Sequence, residues 1–247
     1  MLTQLINIAD YRKWKINWAL LLLAMSPIIM SSCLDDDDVE ELPPAAYVSY
    51  YHGAPNFEAI TIYADGNQYN TNLFEFSDYF IYSRFYTGDR DLSFRLRNTA
   101  NSLLDTTVNF IENQAYSFFL TEENDQLQTV IAEDNWDSPE NTNALVRLVH
   151  LSPDAPAVSL KINDEETDLF ENQSFQDVTD FEEITAAPTN LTLKNADNGE
   201  VLLTAENINL RNERVYTIVV RGYASPEEGA PASHELSLQL IRNYPDF

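Results

Sequence analysis

Cysteine, histidine and basic residues are scarce in this sequence, and each shortage argues against a class of function. The 247 residues include one Cys and three His. A single cysteine cannot form an internal disulfide, and a zinc site needs three or four His, Cys or carboxylate ligands, so zinc is not expected. Forty Asp and Glu against 14 Lys and Arg give a net charge of −26. This charge argues against nucleic acid as a partner, because phosphate backbones attract basic surfaces.

The motifs of common catalytic sites are also missing. The sequence has no Gly-x-Ser-x-Gly elbow, no Ser-x-x-Lys pair, no His-Glu-x-x-His motif and no Gly-rich phosphate loop. Paired carboxylates for glycoside hydrolysis are defined by their separation in space, so the abundance of acidic residues is uninformative. We therefore predict that the protein is not an enzyme, and we assign it no catalytic residue, no metal and no cofactor.

Oxygen-rich turns are the remaining candidates for metal binding. Residues 163–166 with Asp168, and Asn195 with Asp197 and Asn198, supply the carboxylate and amide oxygens that calcium prefers. Their spacing lacks the Gly and the terminal Glu of an EF-hand loop. We interpret both segments as solvated turns, with calcium binding as the open alternative.

No apolar stretch is long enough to span a bilayer, which needs about 20 residues. The mostly apolar residues 18–29 follow a basic region and precede two serines and Cys33. This pattern predicts a signal peptide over residues 1–32. Small residues directly before a cysteine resemble the lipobox of bacterial lipoproteins, which implies that Cys33 becomes the lipidated N-terminus. An uncleaved anchor and a cysteine at this position by chance are the alternatives.

Residues 33–44 are a predicted linker rich in acidic residues and proline. Residues 35–38 are four consecutive aspartates, and Pro43 and Pro44 favour an extended backbone. An acidic run after the lipidated cysteine resembles the surface-export signal of Bacteroidota lipoproteins, and a solvated tether is the alternative. We expect an outer-membrane protein anchored through the lipid on Cys33, at the cell surface or, alternatively, on the periplasmic face.

The rest of the chain contains one unit twice. Residues 144–160, ALVRLVHLSPDAPAVSL, repeat the pattern of residues 46–62, AYVSYYHGAPNFEAITI, at a spacing of 98. In each copy an apolar segment leads through a His to a Pro followed by Asn or Asp, and then to a second apolar segment. Pro fixes φ and an Asx side chain can bond nearby backbone, so each motif predicts a turn between strands. We predict domains at 45–135 and 144–247, joined by a linker at 136–143.

Short segments of alternating apolar residues, separated by turn residues, predict an all-β protein. Asp65-Gly66 and Asn198-Gly199 are hairpin signals. The predicted strands are 46–51, 59–64, 79–83, 92–97, 103–110, 115–121, 127–132, 144–150, 158–162, 191–194, 201–208, 215–222 and 235–242. We predict two tandem immunoglobulin-like antiparallel β-sandwiches after the signal peptide and acidic linker, with one larger sandwich as the alternative.

The motif of the second copy, VRLVHLSPDAP at residues 146–156, resembles the signature of the bacterial domain of unknown function 4397 family. The resemblance implies extracytoplasmic β-domains, here two tandem copies on a lipoprotein, without an established activity. The first copy departs from it, with Gly53-Ala54 in place of Leu151-Ser152. A lone His at a strand end is more often a hydrogen-bond partner of the adjoining turn than a ligand or base. We therefore interpret the motif residues as structural: His52, Pro55, His150, Ser152, Pro153, Asp154 and Pro156.

Aromatic residues are concentrated in the first copy. Residues 45–135 contain eighteen Phe and Tyr, against seven in residues 144–247. Many of them lie in residues 79–86, YFIYSRFY, and alternation lets a strand bury only one face in a core. An exposed aromatic surface suits sugars or a protein partner, whereas a larger core or a contact between the copies is the alternative. The candidate ligand-binding residues are Tyr79, Tyr82, Phe85 and Tyr86.

These features predict a cell-envelope lipoprotein that binds a glycan or an envelope protein. Two other functions stay open at this point. One is a structural spacer of the outer membrane without a ligand, and the other is an accessory of a carbohydrate-active hydrolase.

Overall fold

The computed structural model describes residues 42–243, of which residues 44–243 belong to one compact unit. The predicted signal peptide, the lipidation site Cys33 and nearly all of the acidic linker lie outside the described residues. Within the described part of the chain, no helix is long and apolar enough to cross a membrane.

The all-β prediction is confirmed, and the two sequence repeats have the same strand order. The strands are β1 Ala45–His52, β2 Ile60–Ala64, β3 Asn67–Gln68, β4 Tyr79–Tyr86, β5 Gly88–Leu96, β6 Ser102–Phe110, β7 Ala115–Glu123, β8 Gln126–Asp134, β9 Asn143–His150, β10 Val158–Ile162, β11 Phe170–Gln173, β12 Glu182–Thr185, β13 Pro188–Asn195, β14 Val201–Asn209, β15 Arg214–Arg221 and β16 Ser237–Asn243. A short 3-10 turn, Ala232–His234, precedes β16.

Each repeat forms a sandwich of two four-stranded sheets. The first sandwich has sheets of order β4-β1-β7-β8 and β3-β2-β5-β6, and the second has the equivalent orders β12-β9-β15-β16 and β11-β10-β13-β14. Alternate residues of β1 and β7, such as Val48 and Phe118, pack against Ile62 and Phe94 of the facing sheet. The second core is built in the same way, so the duplicated sequence produces a duplicated fold.

Most strand pairs are antiparallel, as predicted from the sequence, and two pairs are parallel. Strand β1 pairs with β7 in parallel, and β9 pairs with β15 in parallel, whereas the other strand pairs are antiparallel. The chain leaves β1 for the opposite sheet and returns before it forms β7, and such a crossover allows two strands of one sheet to run in the same direction.

A third apolar cluster joins the two sandwiches. It contains Tyr51 and Phe119 from the first sandwich and Val149, Val219 and Ile241 from the second. The sheets that contain β1 and β9 therefore pack against each other through the faces that point away from the sandwich cores. We call these two sheets the inner sheets, because they lie in the middle of the molecule. This contact explains why β7 and β15 are buried on both faces.

Candidate functional site

Each of the two His-Pro motifs forms a turn, and the histidine of the motif contacts two backbone groups of its own turn. The Nδ1 atom of His150 accepts a hydrogen bond from the Ser152 amide at 3.3 Å, and its Nε2 atom lies 3.1 Å from the Pro156 carbonyl oxygen. The equivalent atoms of His52 contact the Ala54 amide and the Glu58 carbonyl oxygen. These partners assign the proton to Nε2 of a neutral ring.

Both imidazoles are fully buried, and burial lowers their pKa values. The pKa of His52 falls to about 4, and the pKa of His150 also lies below its ordinary value. A neutral, buried ring whose two nitrogens are occupied by the turn has no free atom for a ligand. The geometry of the motif histidines therefore fits a structural task.

The residue after the motif proline links each turn to the end of the neighbouring inner strand. The Asp154 carboxylate accepts hydrogen bonds from the Ala224 and Ser225 amides at 2.7 and 2.8 Å. In the first sandwich the direction is reversed, because the Asn56 amide donates to the Glu122 carboxylate at 3.0 Å. The first motif is thereby bonded to the end of β7, and the second motif to the loop that follows β15.

The two motif turns lie at the same end of the inner sheets, and an open cleft of about 590 Å³ lies between them. It is lined from the first sandwich by Asn56, Glu122, Asn124 and Asp125, and from the second by Pro153, Asp154, Tyr223, Ser225, His234 and residues 227–231. Most of its charged groups are carboxylates, with His234 as the one imidazole in the lining. We call it the motif cleft.

Glu122 is the most perturbed acid of the motif cleft. It is 4% exposed, and burial raises the pKa of its carboxyl to about 7. The nearby charge of Asp125 raises this pKa further, while the bond from the Asn56 amide opposes the shift. At neutral pH this carboxyl can therefore be either a hydrogen-bond donor or an acceptor.

The four predicted aromatic ligand residues do not form one surface. Phe85 is 8% exposed and belongs to the core of the first sandwich, where it contacts Tyr50 and Phe110. The hydroxyl of Tyr82 is bound inside the contact between the sandwiches, to Asp134 and Asn243. The prediction of an exposed platform is wrong for these two rings. Phe85 lies on the face of β4 that packs in the core of the first sandwich, and the second sandwich covers Tyr82 on the opposite face.

Tyr79 and Tyr86 are the two exposed rings of the predicted set, at 42% and 65%. They lie at opposite ends of β4, which has eight residues and so spans about 26 Å. Tyr86 also has Arg90 against its ring, at 5.8 Å from the centroid. The distance between the two rings is too long for one sugar to contact both.

The oxygen-rich turns of the second sandwich show no metal geometry. Asp168 forms an ion pair with Lys194, and the Asn163 side chain accepts a bond from the Asn190 amide. Among residues 42–243, no group of three or more His, Cys, Asp or Glu side chains is arranged to hold a metal ion.

Sequence reasoning missed Glu122, Tyr223 and the loop that precedes β16 as parts of a shared cleft. A signal was present at Glu122, because this acid directly follows the mostly apolar residues of β7 and is still buried. Its role depends on the approach of Asn56 across 66 residues of sequence. Such an approach is a property of the fold and has no local pattern.

Comparisons with known proteins found two solved structures of low similarity and one family model that matches part of the chain. Solved structures that resemble it include CBMbc (family CBM26) from Eubacterium rectale Amy13K in complex with maltoheptaose, at 12% identity over 82% of this chain and 98% of that one, with a TM-score of 0.24. A DUF3823 family protein from Bacteroides ovatus has 8% identity over 68% of this chain and 99% of that one, with a TM-score of 0.21. Both TM-scores are too low to bear on function. A search of curated proteins found no match. Residues 46–161 match the family described as Domain of unknown function (DUF4397), and this range covers nearly all of the first sandwich, strand β9, the second motif and most of β10.

Proposed function

We propose that this protein is a non-enzymatic lipoprotein of the cell envelope that binds a glycan in the motif cleft. The proposal includes two tandem copies of the matched family and an anchor at Cys33 of the Bacteroidota type, with the protein at the cell surface. The observation that carries it is the position of the cleft, which both repeated motifs build together.

The direction of β1 supports a binding role. Ala45 begins the strand and His52 ends it, so the chain enters the sandwiches at one end and the motif cleft lies at the other. Eight strand residues span about 26 Å. A chain tethered by a lipid at residue 33 would hold the cleft away from the membrane, where a glycan can reach it.

The chemistry of the motif cleft favours sugar hydroxyls. Carboxylates and the Asn56 and Asn124 amides accept hydrogen bonds, and hydroxyl groups are donors that these acceptors can orient. Tyr223 adds a ring, and its buried hydroxyl has no partner. The net charge of −26 repels acidic sugars, so the expected ligand is a neutral or amino-bearing glycan.

The test is binding to polysaccharide from the envelope of the producing cells, separated into neutral, basic and acidic fractions. Full-length protein is immobilised through its anchor in detergent, and each fraction is titrated. Asp125→Asn with Glu227→Gln changes two exposed carboxylates of the cleft without removing a fold contact, and Glu112→Gln with Glu206→Gln is the matched control on other exposed surface.

We expect the neutral or basic fraction to bind, and the cleft variant to bind at least tenfold more weakly than the control. Unchanged binding by the cleft variant would show that the glycan site lies outside the motif cleft. An absence of binding to all fractions would favour the second candidate, a spacer without a ligand. The buried apolar contact between the sandwiches is the observation that favours this spacer.

A further inference from the structure

The contact between the sandwiches relates equivalent residues of the two repeats. In the parallel pairs, Ser49 lies beside Ser117 in the first sandwich, and Arg147 lies beside Thr217 in the second. In the adjoining pairs, Asp134 lies opposite Ala115 and Asn243 lies opposite Val215. The strand orders are the same, so Ser49 corresponds to Arg147, Ser117 to Thr217 and Asp134 to Asn243.

The edge strands show that this contact has twofold character. Tyr82 of β4 binds Asn243 of β16, which corresponds to Asp134 of β8. Trp136, just after β8, packs on Phe181, just before β12, with ring centroids 5.2 Å apart. Each edge of one inner sheet thus faces the non-equivalent edge of the other. This arrangement is that of an isologous dimer, in which one surface patch contacts its own copy.

The two repeats differ in charge at the centre of this contact. Arg147 and Asp134 form a buried ion pair between the sandwiches, with side chains 2% and 0% exposed. The Arg147 guanidinium also binds Ser117 Oγ at 3.0 Å and Thr217 Oγ1 at 2.9 Å. The equivalent positions carry the uncharged Ser49 and Asn243.

A second difference separates the repeats at the start of the motif turns. A Cβ atom at Gly53 would lie 2.6 Å from Leu151 Cδ1 and 2.8 Å from the Leu120 carbonyl oxygen. Leu151 is the equivalent of Gly53, and a leucine at both positions would not fit in the contact between the repeats. One repeat supplies the side chain and the other supplies the space.

We infer that this contact is a dimer interface enclosed in one chain, and that the Arg147–Asp134 pair selects which repeats associate. Two first repeats would bury two Asp134 carboxylates opposite Ser49, and two second repeats would bury two guanidinium groups opposite Asn243. A buried charge without a partner is strongly unfavourable, so only the mixed pair is balanced. The partner that this surface fits is the other repeat, in the same chain or in a second copy of it.

The test uses the full-length chain with a protease site inserted after Ser138, in the exposed connection between β8 and β9. Two preparations, one isotopically labelled, are cleaved and mixed, and native mass spectrometry determines which halves stay together. We expect only pairs of a first and a second repeat, including pairs exchanged between the preparations. Separation into single halves, or pairs of two first repeats, would overturn the inference without any substitution.

Neutral variants test the role of the ion pair. Asp134→Asn with Arg147→Ser makes the centre of both repeats alike, and we expect pairs of two first and two second repeats to appear beside the mixed pair. The exposed pair Asp65 and Arg90 supplies the control, because Asp65→Asn with Arg90→Ser removes one acid and one base from the surface. Exclusive mixed pairing in the neutral variant would overturn the assignment. If that variant does not fold, Asp134→Asn alone is used, and unchanged pairing fidelity would have the same meaning.

Discussion

A single imidazole in each repeat occupies two backbone groups of the motif turn. His150 connects the Ser152 amide with the Pro156 carbonyl oxygen from a fully buried position. Phenylalanine has a similar ring and no polar atom, so His150→Phe would leave both groups without a partner. Each unsatisfied buried group costs about 1–3 kcal/mol.

We therefore expect His150→Phe to lower the free energy of unfolding by about 2–4 kcal/mol, measured by urea denaturation. His234→Phe is the control, because His234 is more exposed and contacts the Phe76 ring from outside the core. The control should change stability by less than about 0.5 kcal/mol. Equal effects of the two substitutions would contradict the role assigned to the motif histidines.

Glu122 makes stability depend on pH. Burial raises its pKa in the folded state to about 7 from an ordinary value of 4.5. Between these values the folded protein binds more protons than the unfolded chain, so the free energy of unfolding decreases as the pH rises. We expect Glu122→Gln, which keeps the acceptor for the Asn56 amide, to remove this part of the decrease. Denaturation at several pH values between about 4.5 and 8 measures it, and parallel curves for the two proteins would contradict the account.

At the scale of the element, β4 shows what alternation can and cannot predict. The pattern YFIYSRFY correctly indicated a strand, and its alternation correctly implied two faces. The sequence could not show that a bulge shifts the register opposite Val48 and Tyr50, or that a second sandwich covers part of the outer face. The short strands β3, β11 and β12 were missed because they are mostly polar and lie at sheet edges, where little apolar pattern is needed.

Neighbouring residues of β4 provide a matched pair of substitutions. We expect Phe85→Ala to lower the free energy of unfolding by about 3–5 kcal/mol, because it leaves a cavity in the core. Tyr86→Ala removes a ring that is 65% exposed and should change stability by about 0.5 kcal/mol or less. Thermal or urea unfolding of both variants measures this, and a destabilised Tyr86→Ala protein would contradict the orientation of the strand.

At the scale of the whole molecule, four sheets form one stack through two cores and a shared interface. The duplication was readable from the sequence, and so was the apolar character of β7 and β15 on both faces. Neither feature predicted which surface covers the faces of β7 and β15 that point away from their own sandwich core. A central strand of a single sandwich is also continuously apolar. Arg147 reads locally as an ordinary polar residue of a strand, and its partner Asp134 lies in the other sandwich.

The shared interface predicts one cooperative unfolding transition for both sandwiches. A mature chain beginning at Cys33 contains one tryptophan, Trp136, which contacts Tyr82 and Phe181 at this interface. Fluorescence of Trp136 should therefore change at the same urea concentration as far-UV circular dichroism. A fluorescence transition at lower urea would show that the interface opens before the sandwiches unfold.

The measurement that most directly tests the proposed binding role is amide hydrogen exchange of the full-length protein with and without the neutral envelope polysaccharide. We predict slower exchange at the three segments that build the motif cleft, residues 122–125, 153–155 and 223–231, and unchanged exchange in the distant strands β6 and β14. Slower exchange confined to other surfaces, or unchanged exchange throughout, would contradict a glycan site between the two motifs.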